Sequence, residues 1–335
     1  MILESKAAVV GLILLLTQLA VGQTAKPLLT YSNPATYEVE HYVEFKNVDV
    51  TTLTQLEMNV PVPTNWPSQE ILECKTTGDG YFRLKDLETK VHIARIFEKN
   101  KFLPRPGESR RITNHFRLVC QEITSDGARL SRENFAAYKT KSAEYQRYTR
   151  SEEQLEASDP EIKKIAQTLK AKDAQPYRFA RLAYDYVIEH THYGPTIQGG
   201  ALGCLKHGQS DCGGYSALFI AICRAGGIPA RPVVGCWATG ENPWHMWAEF
   251  ELPGVGWIPV DPSVGASGRR DYYFGNLDNN RLVLAKAINM KFQTDRGTTT
   301  HGFIQPGSYF WYLGGRSKGT TTTFEAKLIG KRVKA

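Results

Sequence analysis

The stretch from Ser210 to Val264 constrains the fold more than any other, because it reads as one buried helix followed by three strands. Tyr215, Leu218, Phe219, Ile222 and Ala225 recur at three- and four-residue spacing, the pattern of a helix apolar over a broad face. Cys212 falls in its first turn, and Gly226-Gly227 with Pro229 ends it. Arg231 to Trp237 reads as a strand, Ala238 to Trp244 as a polar loop, and His245 to Leu252 as a second strand with His245, Trp247, Glu249 and Glu251 on one face. Trp257 to Val260 is a third strand, reached through Leu252-Pro253-Gly254.

These elements carry a cysteine, a histidine and an aspartate in an order suited to acyl transfer. A thiol attacks a carbonyl, a histidine moves the proton, and a carboxylate fixes the imidazole tautomer. The N-terminus of a helix favours an anion, and the thiolate is the nucleophilic form. Gly213 and Gly214 would leave backbone N–H groups around the sulfur open to a substrate oxygen. If the turn after Leu252 centres on Pro253, His245 and Asp261 are direct cross-strand neighbours. A shift of two residues keeps them on one face, whereas a slip of one turns Asp261 away. Taken singly, each has a plainer reading: a buried cysteine, a structural histidine, an Asp-Pro turn. Their joint occurrence in the required order is what selects Cys212, His245 and Asp261 as catalytic candidates.

D-C-G-G-Y-S-A-L-F with R-A-G-G-I-P-A-R, followed by H-M-W-A-E-F-E-L-P-G-V-G-W-I-P-V-D-P-S, resembles the core of the transglutaminase-like superfamily, most densely between about residues 177 and 280. The resemblance implies an α+β fold with a papain-like core, helices packed on an antiparallel sheet. It also implies Cys212 as nucleophile, His245 as base and Asp261 as orienting acid. The family includes transglutaminases, peptide amidases, proteases and members without activity. The reaction expected is therefore attack on a peptide or protein amide, with hydrolysis preferred over cross-linking. A binding or structural module at the cell surface, its chemistry unused, is the alternative. The oxyanion would meet the Cys212 N–H and one upstream donor. Some relatives use an upstream Trp there, but none lies between Trp66 and Trp237, so Tyr193 is the first candidate and Gln209 the second. His190, His192, Cys204, His207 and Cys212 crowd together in sequence without a structural zinc spacing, and no metal or other cofactor is expected.

At 335 residues the chain should hold more than one core. Lys6, the apolar run from Ala7 to Leu16 and the small residues Ala20-Val21-Gly22 read as a secretory signal peptide over 1–22, which implies an exported protein, periplasmic or secreted. Residues 23–150 should form a β-rich, sandwich-like accessory domain, with strands at Thr36 to Phe45, Leu53 to Val62, Tyr81 to Leu84, Lys90 to Glu98 and Arg111 to Ile123. Residues 151–335 should form the core with a C-terminal β extension. Ser158-Asp159-Pro160-Glu161 and Pro176 each start a helix. Asp271 to Gly275 and Arg281 to Ala287 should complete the core sheet, and Tyr309 to Leu313 with Thr321 to Leu328 should extend it as an edge hairpin.

The net charge of +7 suits an anionic cell-surface polymer as partner, although interleaved acidic residues fit an ordinary solvated surface equally well. No zinc finger, RNP-type or helix-turn-helix pattern points to nucleic acid. Of the six cysteines, Cys74 with Cys120 and Cys204 with Cys236 are candidate bridges, and Cys223 a buried inert thiol. Oligomeric state is not legible.

Overall fold

A computed structural model describes residues 26–89, 91–99, 103–196, 198–241, 244–302, 309–314 and 322–334. The proposed signal segment lies outside them. The first elements are strands β1 (Leu29–Asn47), β2 (Leu53–Val62), β3 (Gln69–Thr77), β4 (Phe82–Lys85), β5 (His92–Lys99) and β6 (Ser109–Ser125). Helices α1 (Gly127–Leu130), α2 (Ala143–Thr149), α3 (Pro160–Lys172) and α4 (Pro176–His190) follow, then β7 (His192–Tyr193), α5 (Gly200–His207), β8 (Gln209–Ser210) and α6 (Cys212–Ala225). After α6 come β9 (Ala230–Trp237), β10 (His245–Leu252), β11 (Gly256–Val260), α7 (Pro262–Val264), β12 (Arg281–Ala285), β13 (Met290–Thr294), β14 (Gly297–His301), β15 (Tyr309–Gly314) and β16 (Thr322–Val333).

Two four-stranded antiparallel sheets, ordered β16-β1-β6-β3 and β15-β2-β5-β4, form a sandwich. Val43 and Phe45 of β1 meet Leu56, Met58 and Val60 of β2 and Ala94 and Ile96 of β5 between them, because alternate residues of each strand point to one face. The last two strands depart from expectation. β16 runs antiparallel along β1 from Thr36↔Val333 to Asn47↔Thr322, and β15 pairs with β2 from Tyr309↔Asn59 onward. They therefore complete the N-terminal sandwich and do not extend the core sheet. Phe324 and Ala326 pack against the sandwich core. Alternation of this kind fits any sheet edge, so the partner is decided by tertiary packing.

β3, with its exposed Glu70 and Leu72 and a register shift between Ile71 and Glu73, gives a broken period-two signal that sequence reading passed over. The β13–β14 hairpin is likewise an addition. Asp271 to Gly275 is not a strand; within it Phe274 makes a single bridge to Val260.

The core sheet has the order β11-β10-β9-β12, all antiparallel. The fold is α+β, with helices packed on this antiparallel sheet beside the sandwich. Helix α6 lies on one face of the sheet, where Met246, Ala248 and Phe250 join Leu218, Phe219 and Ile222 in one apolar cluster. The Ser216 hydroxyl donates to the Met246 carbonyl at 3.1 Å. α3 and α4 close the helical side through Ile162, Ala166, Leu169, Phe179, Ala183 and Val187. Asp159 caps α3 by accepting from Glu161 N and Ile162 N, and Pro160 at the first position needs no donor of its own.

The opposite face of the core sheet meets the sandwich. Trp247, Val233 and Val283 pack on Ile123 and Leu277, and Gln69 reaches across to accept from Val283 N at 2.8 Å and donate to Val283 O at 3.0 Å. Gly235 lets Trp247 lie across its strand: a Cβ there would meet the indole at 2.7 Å and Leu282 O at 2.1 Å. Among the described residues, no helix is long and apolar enough to cross a membrane.

All six cysteines are free thiols. The two candidate bridges fail on geometry. In the β3–β6 ladder Gln69 faces Cys120 and Cys74 faces Phe116, which separates the two sulfur-bearing residues by roughly 13 Å, beyond a disulfide's span. Cys204 lies in the helical core and Cys236 in the seam between core sheet and sandwich. Cys223 is fully buried on α6.

Candidate active site

Helix α6 begins with Asp211 as its cap, whose carboxylate accepts from Gly213 N at 3.0 Å and Gly214 N at 3.3 Å. This corrects the sequence reading that both glycines leave their N–H groups open: the cap has taken them. The glycine at 214 serves packing instead, since a Cβ there would lie 2.0 Å from Ser210 Oγ and 3.2 Å from Cys204 Cβ. Cys212, in the first turn, is buried to 6% exposure.

The three candidate residues come together. His245 Nε2 lies 2.8 Å from Asp261 Oδ2, and the ring also hydrogen-bonds the Cys212 sulfur, which leaves Nδ1 as the nitrogen facing the thiol. The register differs from direct opposition. Ala248 faces Val260 and Leu252 faces Gly256, so continuing the ladder puts Asp261 level with Trp247, two residues along from His245. The turn centres on Gly254, at φ 78°, and not on Pro253. The two-residue shift preserves the face, and Asp261, just past the strand end, reaches His245 on the diagonal.

Asp261 is fully buried and surrounded by donors. Its Oδ1 accepts from Val264 N at 3.1 Å and Ser263 Oγ at 3.2 Å, and its Oδ2 accepts from both His245 and Arg281 Nη1, the latter at 2.9 Å. Burial opposes its charge, but His245, Arg281 and these hydrogen bonds hold its carboxyl well below the usual range. Burial alone would lower the imidazole of His245; the Asp261 carboxylate overrides it and raises the ring to about 9. The carboxylate thus favours the charged form of the ring.

Arg281 was not singled out in the sequence. It is buried, pairs with Asp278 through Nε at 3.0 Å, and stacks its guanidinium 3.9 Å from the Trp237 ring centre. Trp237 in turn packs on His245 with ring centres 4.7 Å apart, and Trp247 lies 6.0 Å away on a near-parallel plane. The available signal was an arginine opening the apolar run R-L-V-L-A, since a charge on an inward-facing strand demands an anionic partner.

A cavity of about 430 Å³ opens beside the ring, lined by Ile188, Thr191, Tyr193, Tyr215, His245 and Ser263 among others. Of the two oxyanion candidates, Tyr193 borders this cavity. Partial burial raises its hydroxyl's pKa first, and the nearby charges of Cys212, Asp211 and Asp261 add to it. The short parallel pairing of β7 with β8 sets Tyr193 opposite Ser210, two residues before the cysteine. Gln209 instead lies against Gly194, where a Cβ would come within 2.1 Å of its Nε2. Of the histidines and cysteines that crowd before α6, His190 bonds the Tyr186 carbonyl and stacks on its ring, while Cys204 faces Thr191. Among the described residues no group of three or more His, Cys, Asp or Glu side chains is arranged to hold a metal ion.

Residues 163–262 match the Transglutaminase-like superfamily, a span that contains Cys212, His245 and Asp261. A relative from Haemophilus influenzae, itself uncharacterised, is 24% identical over 164 residues; the match covers 39% of this chain and 43% of that protein's length. The crystal structure of a candidate cysteine protease from Cytophaga hutchinsonii superimposes with a TM-score of 0.65 at 12% identity, covering 92% of this chain and 94% of its own. That agreement shows the fold, sandwich and core together. The periplasmic domain of TgpA from Pseudomonas aeruginosa, at 16% identity, aligns over 72% of this chain and 91% of its own with a TM-score of 0.34, too low to carry an argument.

Proposed function

We propose that this chain is an exported thiol acyl-transfer enzyme that opens a peptide or protein amide through Cys212, His245 and Asp261, with water as the usual acceptor. One observation carries the reading. A buried imidazole, hydrogen-bonded to the Asp261 carboxylate on one side and to the Cys212 sulfur on the other, sits at the edge of a cavity large enough for a side chain.

The sulfur attacks the amide carbonyl as its thiolate, and the carbonyl electrons move to oxygen. Cys212's own N–H and the Tyr193 hydroxyl are the donors proposed to meet that oxyanion. Collapse expels the amine, which takes the proton from the His245 ring, leaving a thioester on Cys212. Water then attacks the thioester, giving its proton to the now neutral ring, and the carboxylic acid leaves as the thiolate is restored. Asp261 holds the ring's orientation throughout and remains charged. A lysine amine in place of water would give a cross-link by the same steps. We favour water, in keeping with the protease description of the Cytophaga hutchinsonii protein of the same fold.

The test is a glutamine-containing peptide assay with and without a primary amine, reading ammonia, cleavage and cross-linked product together. Hydrolysis without added amine is expected, and none from Cys212→Ala. Product that forms only with the amine would reassign the enzyme to transamidation, and wild-type turnover by Cys212→Ala would remove the assignment. Export is tested by mass analysis of the mature N-terminus, expected near Gln23.

A further inference from the structure

We propose that Arg281 is a positioning residue that limits how tightly His245 holds its proton, by sharing the Asp261 oxygen on which the ring depends. Both groups donate to Oδ2, His245 at 2.8 Å and Arg281 at 2.9 Å. A carboxylate oxygen that is already neutralised by a guanidinium binds an imidazolium less strongly than a bare one. The arginine cannot drift from this position. It is 2% exposed in its side chain, its second anchor is Asp278, and Trp237 lies under its plane.

This matters for the reaction in both directions. Without Arg281, loss of the ring proton would leave a fully buried carboxylate with no cation beside it, so the proton would be retained more firmly. An imidazolium that will not release its proton is a poor acid toward the departing amine, and its neutral form is too scarce to activate water. With Arg281 present the carboxylate stays charged whichever state the ring is in. The other groups facing the pair are Tyr184 on α4, Tyr193 on β7 and Cys212 on α6. Those facing the arginine are Asp278 and Tyr273 after the α7 turn, Cys236 on β9, and the Cys120 thiol of β6, which donates to the Arg281 carbonyl at 3.4 Å. Among them Asp278 sets the opposite lever, since it draws on the same guanidinium.

The inference rests on the proposed chemistry for its significance but not for its test. The His245 ring is followed by NMR in histidine-labelled protein, with its signal assigned through His245→Gln. In Arg281→Met the titration midpoint should rise by roughly one pH unit or more. Arg281→Lys, which keeps the charge, should restore most of it. Asp278→Asn should lower the midpoint, because the arginine's charge then falls on Asp261 alone. An unchanged midpoint in Arg281→Met, with only a lower melting temperature, would reduce Arg281 to a structural role and overturn the proposal. If Arg281→Met does not fold, Asp278→Asn and Arg281→Lys decide: a midpoint that stays put in Asp278→Asn overturns it. Iodoacetamide alkylation of Cys212 across the same pH range gives a second readout, whose profile should follow the ring's midpoint. Lack of turnover on any amide would count against the proposed reaction and leave these titrations interpretable.

Discussion

One face of β10 carries two buried ion clusters, and the same burial has opposite consequences in them. At its start, His245 meets Asp261 and Arg281. Four residues on, Glu249 is gripped by Arg231 at 2.7 Å and by Lys286 at 2.5 Å. In the first cluster the ring is surrounded by enough negative charge to be raised to about 9. In the second, burial lowers Lys286 to about 8; the pull of Glu249 only partly offsets it, and Arg231 pushes the same way as burial. A third buried base, His41, packed edge-on to Trp244 with neither ring nitrogen partnered, shows burial unopposed and falls to about 4. The lesson is that exclusion of water sets the size of a shift while the local balance of carboxylates against cations sets its sign.

The clusters should break differently. Asp261→Asn should reduce kcat/KM by about 10²–10⁴-fold, because an amide neither stabilises the imidazolium nor fixes its tautomer, and should also forfeit the stability that the protonated ring contributes. Glu249→Gln should act on stability alone: two cations lose their anion, stability drops by about 3–5 kcal/mol in denaturant titration, and turnover survives wherever the protein remains folded. Tyr193→Phe should lower kcat by about 10²-fold with KM little changed; an unaltered kcat would remove Tyr193 from the oxyanion site.

pH sharpens the contrast. His245, raised from 6.5 to about 9, contributes stability that is complete below 6.5 and is lost as pH climbs through 9. Lys286, lowered from 10.5 to about 8, does the opposite: the cost of burying its charge is present below 8, and stability rises from there to 10.5. In unfolding measurements His245→Gln should therefore flatten the decline between 6.5 and 9, and Lys286→Met should abolish the rise above 8. The smallest effect concerns His41. Its proton is bound in the unfolded chain below 6.5 but in the folded one only near 4, so stability falls with acidification across that interval. His41→Leu should remove that slope and add about 1–2 kcal/mol near pH 5; an unchanged acid limb would show that other groups govern it.

Much of the core was legible because its signals are local. The α6 run from Cys212 to Ala225, β10 from His245 to Leu252 and the cap before Pro160 each follow from periodicity or capping chemistry within a dozen residues. The face shared by His245 and Asp261 was legible as well, since a strand's period of two makes parity insensitive to where the turn is centred. The register itself was not, because it turned on which residue the turn between β10 and β11 centres on, Gly254 here.

The sequence by itself thus determined the candidate nucleophile, base and acid, the elements that carry them, and the strand-rich character of the flanking region. Tertiary structure alone decided that β15 and β16 close the N-terminal sandwich, that the Asp211 carboxylate occupies two of the helix-end donors, and that Arg281 stands behind Asp261. Each of these joins groups distant in the chain or chooses among equivalent partners. Periodicity says which way a side chain points, and only packing says what it meets.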